Sequence, residues 1–405
     1  MLPTIFLIQI LILGALGNEN ITEVLNTPKE TLTLLLMGDT QYHFPCEPGN
    51  VACKRASKRC RDRYGLDYYL RFPLVSNDTV REGSENCTVI ESRYANRVQR
   101  QAISSLIDQM QYKPSALIIN GDLTNFGHLP QLNEFSDVWK RKFPIRLLVG
   151  LGNHDYENNI NDCLLNFCAH TMMSWFMKYG EEQGLNLDYK RTPKSAFEVK
   201  YNGSFAYSTR VCSITGKNCA QIIQLNNAFD YEKSFTTMIA TFNIFPGTEF
   251  LIRQLRLHED LDLPILINFH QCEGTRVEKI KKVISDWLLE NKQKGRIKKV
   301  GVFFAHMHSI HELRVHCIHN ISVPFVYIGS VPNNRFSMIK INNGSLLVNG
   351  FYTKDSFGLH DRLEHLGETK DLWQPCNQLS QTRYAFMDEL TKEVIFKQKF
   401  WKQKN

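Results

Sequence analysis

Residues 144–155 read Pro-Ile-Arg-Leu-Leu-Val-Gly-Leu-Gly-Asn-His-Asp. Ile145, Leu147, Leu148 and Val149 form an apolar run of strand length, and Gly150 and Gly152 close it in a tight turn. The turn presents Asn153, His154 and Asp155 together: an amide, an imidazole and a carboxylate on a loop held by a rigid sheet. Other apolar runs end in the same manner. Leu32 to Met37 leads into Gly38-Asp39-Thr40-Gln41, and Ala116 to Asn120 leads into Gly121-Asp122. Pro264 to Phe269 delivers His270, and Val300 to Ala305 delivers His306-Met307-His308.

The connecting segments set the fold class. Tyr94 to Met110 carries Val98, Ala102, Ile103, Leu106, Ile107 and Met110 at helical spacing, and Leu132 to Lys142 reads as a second helix. The result is a βαβα order with polar groups at successive strand ends, the layout of a layered α/β fold. Further on, Ala196 to Val211 and Ala220 to Asn226 read as strands of a second sheet, with a hairpin turn at Asn202-Gly203. Phe250 to His258 and Val277 to Leu289 read as helices, and Phe325 to Ile328 and Ser337 to Ile341 as strands, the last closing in a hairpin at Asn342-Asn343-Gly344. No internal repeat or low-complexity tract is present.

Two segments lack a clear period and read as insertions, 43–92 and 156–194. The first holds Cys46, Cys53, Cys60 and Cys87 and a basic run from Lys54 to Arg63. Leaving directly from the Asp39 strand end, it should overhang the site that Asp39 serves. Its basic run reads either as a solvated face or as a rim that attracts an anionic substrate. The second carries Met172, Met173, Trp175, Phe176, Met177 and Tyr179, either packing for the insertion itself or a lid or membrane-touching surface.

At 405 residues, with 43% hydrophobic and 22% charged residues, the chain is long enough for one large domain with insertions. A net charge of +7 permits anionic ligands and does not call for nucleic acid, and no nucleic-acid-binding module is expected. Ile5 to Leu16 is apolar but for Gln9 and leads into Ala15-Leu16-Gly17, with small residues suited to a signal peptidase, so residues 1–17 read as a cleaved signal peptide, with a signal anchor as the lesser option. No later segment offers the roughly 18 apolar residues of a membrane span. Six sequons, at Asn20, Asn77, Asn86, Asn202, Asn320 and Asn343, and eleven cysteines agree with secretion or an endolysosomal lumen, with N-linked glycans. Cys46/Cys53, Cys163/Cys168 and Cys212/Cys219 are spaced to close small loops. For Cys272, a disulfide with Cys317 or Cys376 is expected. No Cys-X2-Cys pair supports a zinc finger.

The strand-end groups have a common chemistry. Two divalent cations roughly 3.5–4 Å apart need a shared carboxylate, further oxygen and imidazole ligands, and open positions for water and substrate. His306 and His308, two apart on extended chain, can reach one site together. Asp122 is placed to bridge, and His154, adjacent to the ligand Asn153, is free to act as a general acid. The chain lacks Gly-X-Ser-X-Gly and Gly-X4-Gly-Lys, which excludes the serine-hydrolase elbow and the P-loop.

This order of motifs resembles the calcineurin-like metallophosphoesterases, whose pattern is Asp-X-His, Gly-Asp, Gly-Asn-His-Asp/Glu, a lone His, and Gly-His-X-His. The likeness runs from about Leu32 to Gly350, leaving 351–405 as a C-terminal extension. It implies a four-layer α/β/β/α sandwich of two mixed sheets flanked by helices, with disulfide-stapled insertions. It places Asp39, Asp122 and His308 on a first metal, with Gln41 at the position of the family's His, and Asp122, Asn153, His270 and His306 on a second. The implied activity is phosphate-ester hydrolysis by a metal-bridging hydroxide, with diesters slightly favoured, His154 assisting the leaving oxygen and Asp155 orienting His154 or a ligand. The metals implied are two of zinc, manganese or iron type.

Departures from the pattern are specific. Gln41 offers a neutral amide where the family has imidazole, a weaker donor to zinc, and His43 is a substitute ligand two residues on. Asn125 stands where purple acid phosphatases carry a ligand tyrosine. Ala305 replaces a glycine. The alternative to an enzyme is a secreted binding protein that keeps the fold with weak catalysis. His311, His316 and His319 read as packing or surface residues.

Overall fold

Residues 25–43, 58–60, 62, 87–141, 143–195, 198–356, 359–379 and 383–386 are described by a computed structural model of the protein. Strand β1 (Leu32–Met37) has every side chain buried, as a strand covered on both faces must. The helix Cys87–Gln109 follows, then β2 (Ala116–Asn120). A short helix, Leu129–Phe135, runs into a π-helical turn, Ser136–Lys140, before β3 (Arg146–Gly150). After the helix Phe167–Glu182 come β4 (Tyr189–Pro193), β5 (Val199–Gly203), β6 (Tyr207–Cys212), β7 (Cys219–Gln224), β8 (Lys233–Thr236) and β9 (Ala240–Ile244). Helices Thr248–Leu257 and Thr275–Gln293 flank β10 (Ile265–Asn268), and β11 (Val300–Phe304) follows. The chain continues through β12 (Glu312–Ile318), β13 (Ile321–Tyr327), β14 (Arg335–Asn342), β15 (Ser345–Ser356), β16 (Leu359–Glu368) and β17 (Arg383–Ala385).

The first sheet runs β16-β15-β14-β1-β2-β3 and the second β17-β12-β13-β11-β10-β7-β6. In the first, β1, β2 and β3 are parallel; in the second, β13, β11, β10 and β7 are parallel. Side-chain alternation makes the layers. Leu266 and Phe303 turn inward and share a core with β1, β2 and β3, whereas Ile265, Ile267, Val302 and Phe304 turn outward onto Leu251, Leu255, Ile284 and Leu288 of the two helices. On the far side of the first sheet, Ile103, Leu106 and Ile107 of Cys87–Gln109 join the same core. The order is α/β/β/α, and the parallel strands of both sheets end at one rim. There Asn120 Nδ2 crosses between the sheets to the carbonyl of Phe303 at 3.0 Å.

Several expectations are revised. A third sheet, β4-β5-β9-β8, stands beside the two main ones. Asn202-Gly203 is no hairpin turn: Gly203 ends β5 in that third sheet, while β6 belongs to the second. A Cβ at Gly203 would lie 2.1 Å from the carbonyl oxygen of Asp188, so the glycine serves a close backbone approach. The first helix begins at Cys87, inside the expected insertion, and the second ends in the π turn. β15 runs across position 350 and pairs with β16, so the chain beyond 350 completes sheet edges. Met172, Met173, Phe176, Met177 and Tyr179 are buried, taking the packing role.

Disulfides join Cys163–Cys168 and Cys212–Cys219, and also Cys60–Cys87 and Cys317–Cys376. Cys46 and Cys53 lie outside the described residues. Cys272 is buried and unpaired, against expectation. The sheet order explains this, because β11 and β13 separate β10 from β12. Three strand spacings of about 4.8 Å exceed the roughly 7 Å limit for a disulfide. Among the described residues, no helix is long and apolar enough to cross a membrane.

His311 is buried, with Nε2 against Ser337 Oγ at 2.9 Å and its ring against Phe386. His316 packs on Phe325, and His319 Nε2 meets Ser285 Oγ at 2.8 Å. Burial, reinforced by Arg335, lowers the His311 pKa to about 3. Below the ordinary histidine pKa the unfolded chain therefore takes a proton that the folded one refuses, so this stability is complete above about pH 6.5 and is lost as pH falls toward 3. At about 1.4 kcal/mol per pH unit, His311 should contribute a loss of about 2 kcal/mol between about pH 7.5 and pH 5. Urea unfolding of wild type and His311→Gln at both pH values checks this, and equal pH slopes would refute it.

Candidate metal centre

Five strand ends converge at the rim. Asp39 follows β1, Asp122 follows β2, Asn153 opens a four-residue helix after β3, His270 follows β10, and His306 and His308 follow β11. The backbone is forced there: φ is 59° at Asp39, 53° at Asp122 and 68° at His306. Left-handed residues other than glycine each cost about 1–3 kcal/mol, and they persist only where surrounding packing dictates them.

Glycines permit the approach. Gly121 has φ +76°, and a Cβ there would lie 2.8 Å from the Cα of Gly152. A Cβ on Gly152 would lie 2.2 Å from Asp122 Oδ1. Gly38 plays the same part across the sheets, because its Cβ would meet the methyl of Ala305 at 2.3 Å. The methyl of Ala305 is thus accommodated only because the residue facing it, Gly38, has no side chain.

Asp122 is the centre of the group. Its Oδ1 accepts the backbone N–H of His154 at 2.9 Å, and its Oδ2 lies 3.1 Å from His270 Nε2. His270 donates Nδ1–H to the carbonyl of Asn120 at 2.9 Å, which turns Nε2 toward the site. That Nε2 lies 3.1 Å from Asn153 Oδ1 and 3.1 Å from His306 Nδ1. Across the site, His308 Nε2 stands 3.3 Å from Asp39 Oδ1. Asp122, His270 and His306 bring ligand atoms within 4.8 Å of one another, and so do Asp39, Asp122 and His308.

This donor set fits two cations sharing Asp122. Among the described residues both buried oxygens of Asp39 lack a hydrogen-bond partner, with only the His308 ring near Oδ1, an arrangement that a cation would compensate. Burial opposes charge on His270, yet Asp122 and Asp39 raise its pKa to about 10, so the carboxylates create a field that demands positive charge. Burial and the charge of His270 lower the pKa of His306, keeping that imidazole in its ligand form.

Gln41 enters the site by a different group from the one expected. Its Nε2 donates to Asp122 Oδ2 at 2.9 Å, so it steadies the shared carboxylate. His43 takes no place among the ligands: its Nδ1 accepts from Asn125 Nδ2 at 3.2 Å, and burial lowers its pKa to about 4. Asp155 does not touch His154. It ties the β2 and β3 loops together, accepting from Gly152 N at 2.8 Å, Leu123 N at 3.1 Å, Thr124 N at 2.8 Å and Thr124 Oγ1 at 3.1 Å. Burial and Asp122 push its pKa up to about 7, while those donors hold the ionised form.

His154 is oriented instead by Asn125, a residue the sequence marks only by the tyrosine it lacks. His154 Nδ1–H donates to the Asn125 carbonyl at 3.0 Å, leaving Nε2 for a substrate atom, and Phe126 packs edge-on against the ring. Cys272 offers no nucleophile, since burial pushes its thiol up to about 12.

Displacing Asp122 should empty the centre. Gly152→Ala drives a methyl into Oδ1, so bound zinc or manganese should fall well below the wild-type amount after equilibrium dialysis, with Gly247→Ala unchanged as a control. Full metal content in Gly152→Ala would show that this contact does not set the carboxylate.

No curated protein matches the chain. Among solved structures, a dimetal phosphatase from Danio rerio is similar over 79% of this chain and 95% of its own, at 12% identity and TM-score 0.42. The Thermus thermophilus protein TT1561 is similar over 78% of this chain and 98% of its own, at 7% identity and TM-score 0.34. Likenesses this distant carry no argument about chemistry. The sequence profile of the calcineurin-like phosphoesterases, however, matches residues 32–310, a span that holds every strand end described above, and the chain belongs to that family.

Proposed function

We propose that the protein is a secreted phosphoesterase that hydrolyses phosphate esters at a dinuclear centre, with diesters favoured over monoesters. The observation that carries this is the pair of ligand clusters sharing Asp122, with His154 bonded to Asp122 through its backbone N–H. Two divalent cations, when bound, neutralise phosphoryl charge and make water a nucleophile near neutral pH. Asp39, Asp122 and His308 would hold one; Asp122, Asn153, His270 and His306 would hold the other. His154 is half-buried and fixed through Nδ1, so as the imidazolium it can give the Nε2 proton to the departing alkoxide and remain held by Nδ1–H. Asp155 keeps the two loops, and hence Asp122 and His154, in register.

Zinc, manganese and iron all suit this donor set. Gln41 supplies no imidazole, which favours manganese or ferrous iron over zinc at the first position. Gly121-Asp122-Leu123-Thr124 with Gly127 behind it supports the diester preference. Secretion, or delivery to an endolysosomal lumen, is supported by residues 1–17, by the disulfides and by exposed sequons at Asn320 and Asn343. Lys58 and Arg59 are exposed on the segment stapled by Cys60–Cys87, in keeping with an anionic substrate.

A second reading, a binding protein with weak catalysis, is favoured by the Gln41 side chain, whose amide nitrogen occupies a lone pair of the shared carboxylate. Hydrolysis of bis-p-nitrophenyl phosphate and p-nitrophenyl phosphate, with manganese, zinc or neither, separates the two. Turnover should need metal, vanish in Asp122→Ala and fall about 10²–10⁴-fold in His154→Ala. No turnover with any metal would favour the binding protein. Gln41→His should lower turnover if the amide is tuned to the reaction, whereas a large gain would mark a crippled site. Removal of N-glycans from protein expressed in animal cells should reduce its apparent mass, and an unchanged mass would count against passage through the secretory pathway.

A further inference from the structure

A cleft of about 410 Å³ opens beside the Asp39–His308 end of the centre. Its floor is Gln41, His43 and His308, so it continues from the metal ligand His308. One wall is the start of the helix Cys87–Gln109, with Thr88 and Ser92; the other is the turn after β13, with Asn333 and Asn334. Arg59 also lines it, brought there by the Cys60–Cys87 disulfide.

We propose that this cleft binds the non-leaving alcohol of the ester, and that this alcohol is a hydroxyl-bearing ring of nucleoside or sugar size. The inference rests on the phosphoesterase reading above and names the substrate class of that site. The volume lies near the lower end of the roughly 300–1,000 Å³ of small-molecule sites, room for a ring system. Its hydrogen-bonding capacity is partly unused. The Thr88 hydroxyl is buried with no partner among the described residues, a cost that a ligand oxygen would relieve. His43 uses Nδ1 to accept from Asn125, so the ring proton sits on Nε2, which can donate it. An alkyl chain would leave these groups and the Asn334 amide unmatched, and sites built on hydrogen bonds reject such analogues strongly.

Three diesters with one p-nitrophenyl leaving group test this, their other alcohol being thymidine, glucose or hexanol. The thymidine or the glucose ester should be hydrolysed with at least about tenfold higher kcat/KM than the hexyl ester, and the better of the two identifies the ring. Thr88→Val should raise the melting temperature, because it removes an unpartnered hydroxyl, and should cut that preference several-fold. Asn334→Leu should cut it as well. Calorimetric titration of thymidine and methyl glucoside into wild type and both variants reads the cleft without turnover. A protein that binds one of them yet hydrolyses no ester would sink the phosphoesterase reading alone. Preference for the hexyl ester, or a ring preference and binding unchanged in both variants, would overturn the cleft assignment.

Discussion

The structure depends on one carboxylate, Asp122, held where two sheets meet. It has a left-handed backbone, a glycine pressed against one oxygen, and an imidazole and an amide against the other. An uncompensated charge at such a depth is costly, and a charge shared by two cations is not. The surrounding arrangement follows from meeting that requirement. His270 is fixed by the Asn120 carbonyl and His154 by the Asn125 carbonyl, so each ring presents its other nitrogen to the site.

The strain at Asp39, Asp122 and His306 is sustained by the four-layer core. β1, β2, β10 and β11 are buried along their whole length, and their ends cannot relax without moving the layers. Backbone hydrogen bonds stitch neighbouring strand ends together within each sheet: Asp39 N–H to the Gly121 carbonyl in the first, Ala305 N–H to the His270 carbonyl and His270 N–H to the Asn227 carbonyl in the second. Packing at this density behaves as a rigid frame, so ligand positions are settled before any cation arrives.

The periphery is built differently. Short-range disulfides fasten loops to the frame at Cys60–Cys87, Cys163–Cys168 and Cys212–Cys219, and Cys317–Cys376 fastens the late chain to β12. The third sheet adds a flank without reaching the metal centre. The centre lies within the span that matches the family, and beside it Thr88, Arg59 and Asn334 line the adjoining cleft.

The chain alone determined the layered α/β class and the polar groups that meet at the rim, because apolar runs ending in Asp, Asn or His declare both a buried strand and a polar terminus in adjacent residues. Such local patterns survive folding unchanged, and the hairpin at Asn342 to Gly344 was legible for the same reason. Pairings between distant residues were not. Gly203 was misread as a turn because its partner, Asp188, meets it only in space. Cys272 was assigned a disulfide because strand order, which separates β10 from β12, is not written in spacing. The roles of Gln41, Asn125 and Asp155 were decided by which loop faced them, and hydrogen-bond direction at a buried carboxylate is a property of three dimensions.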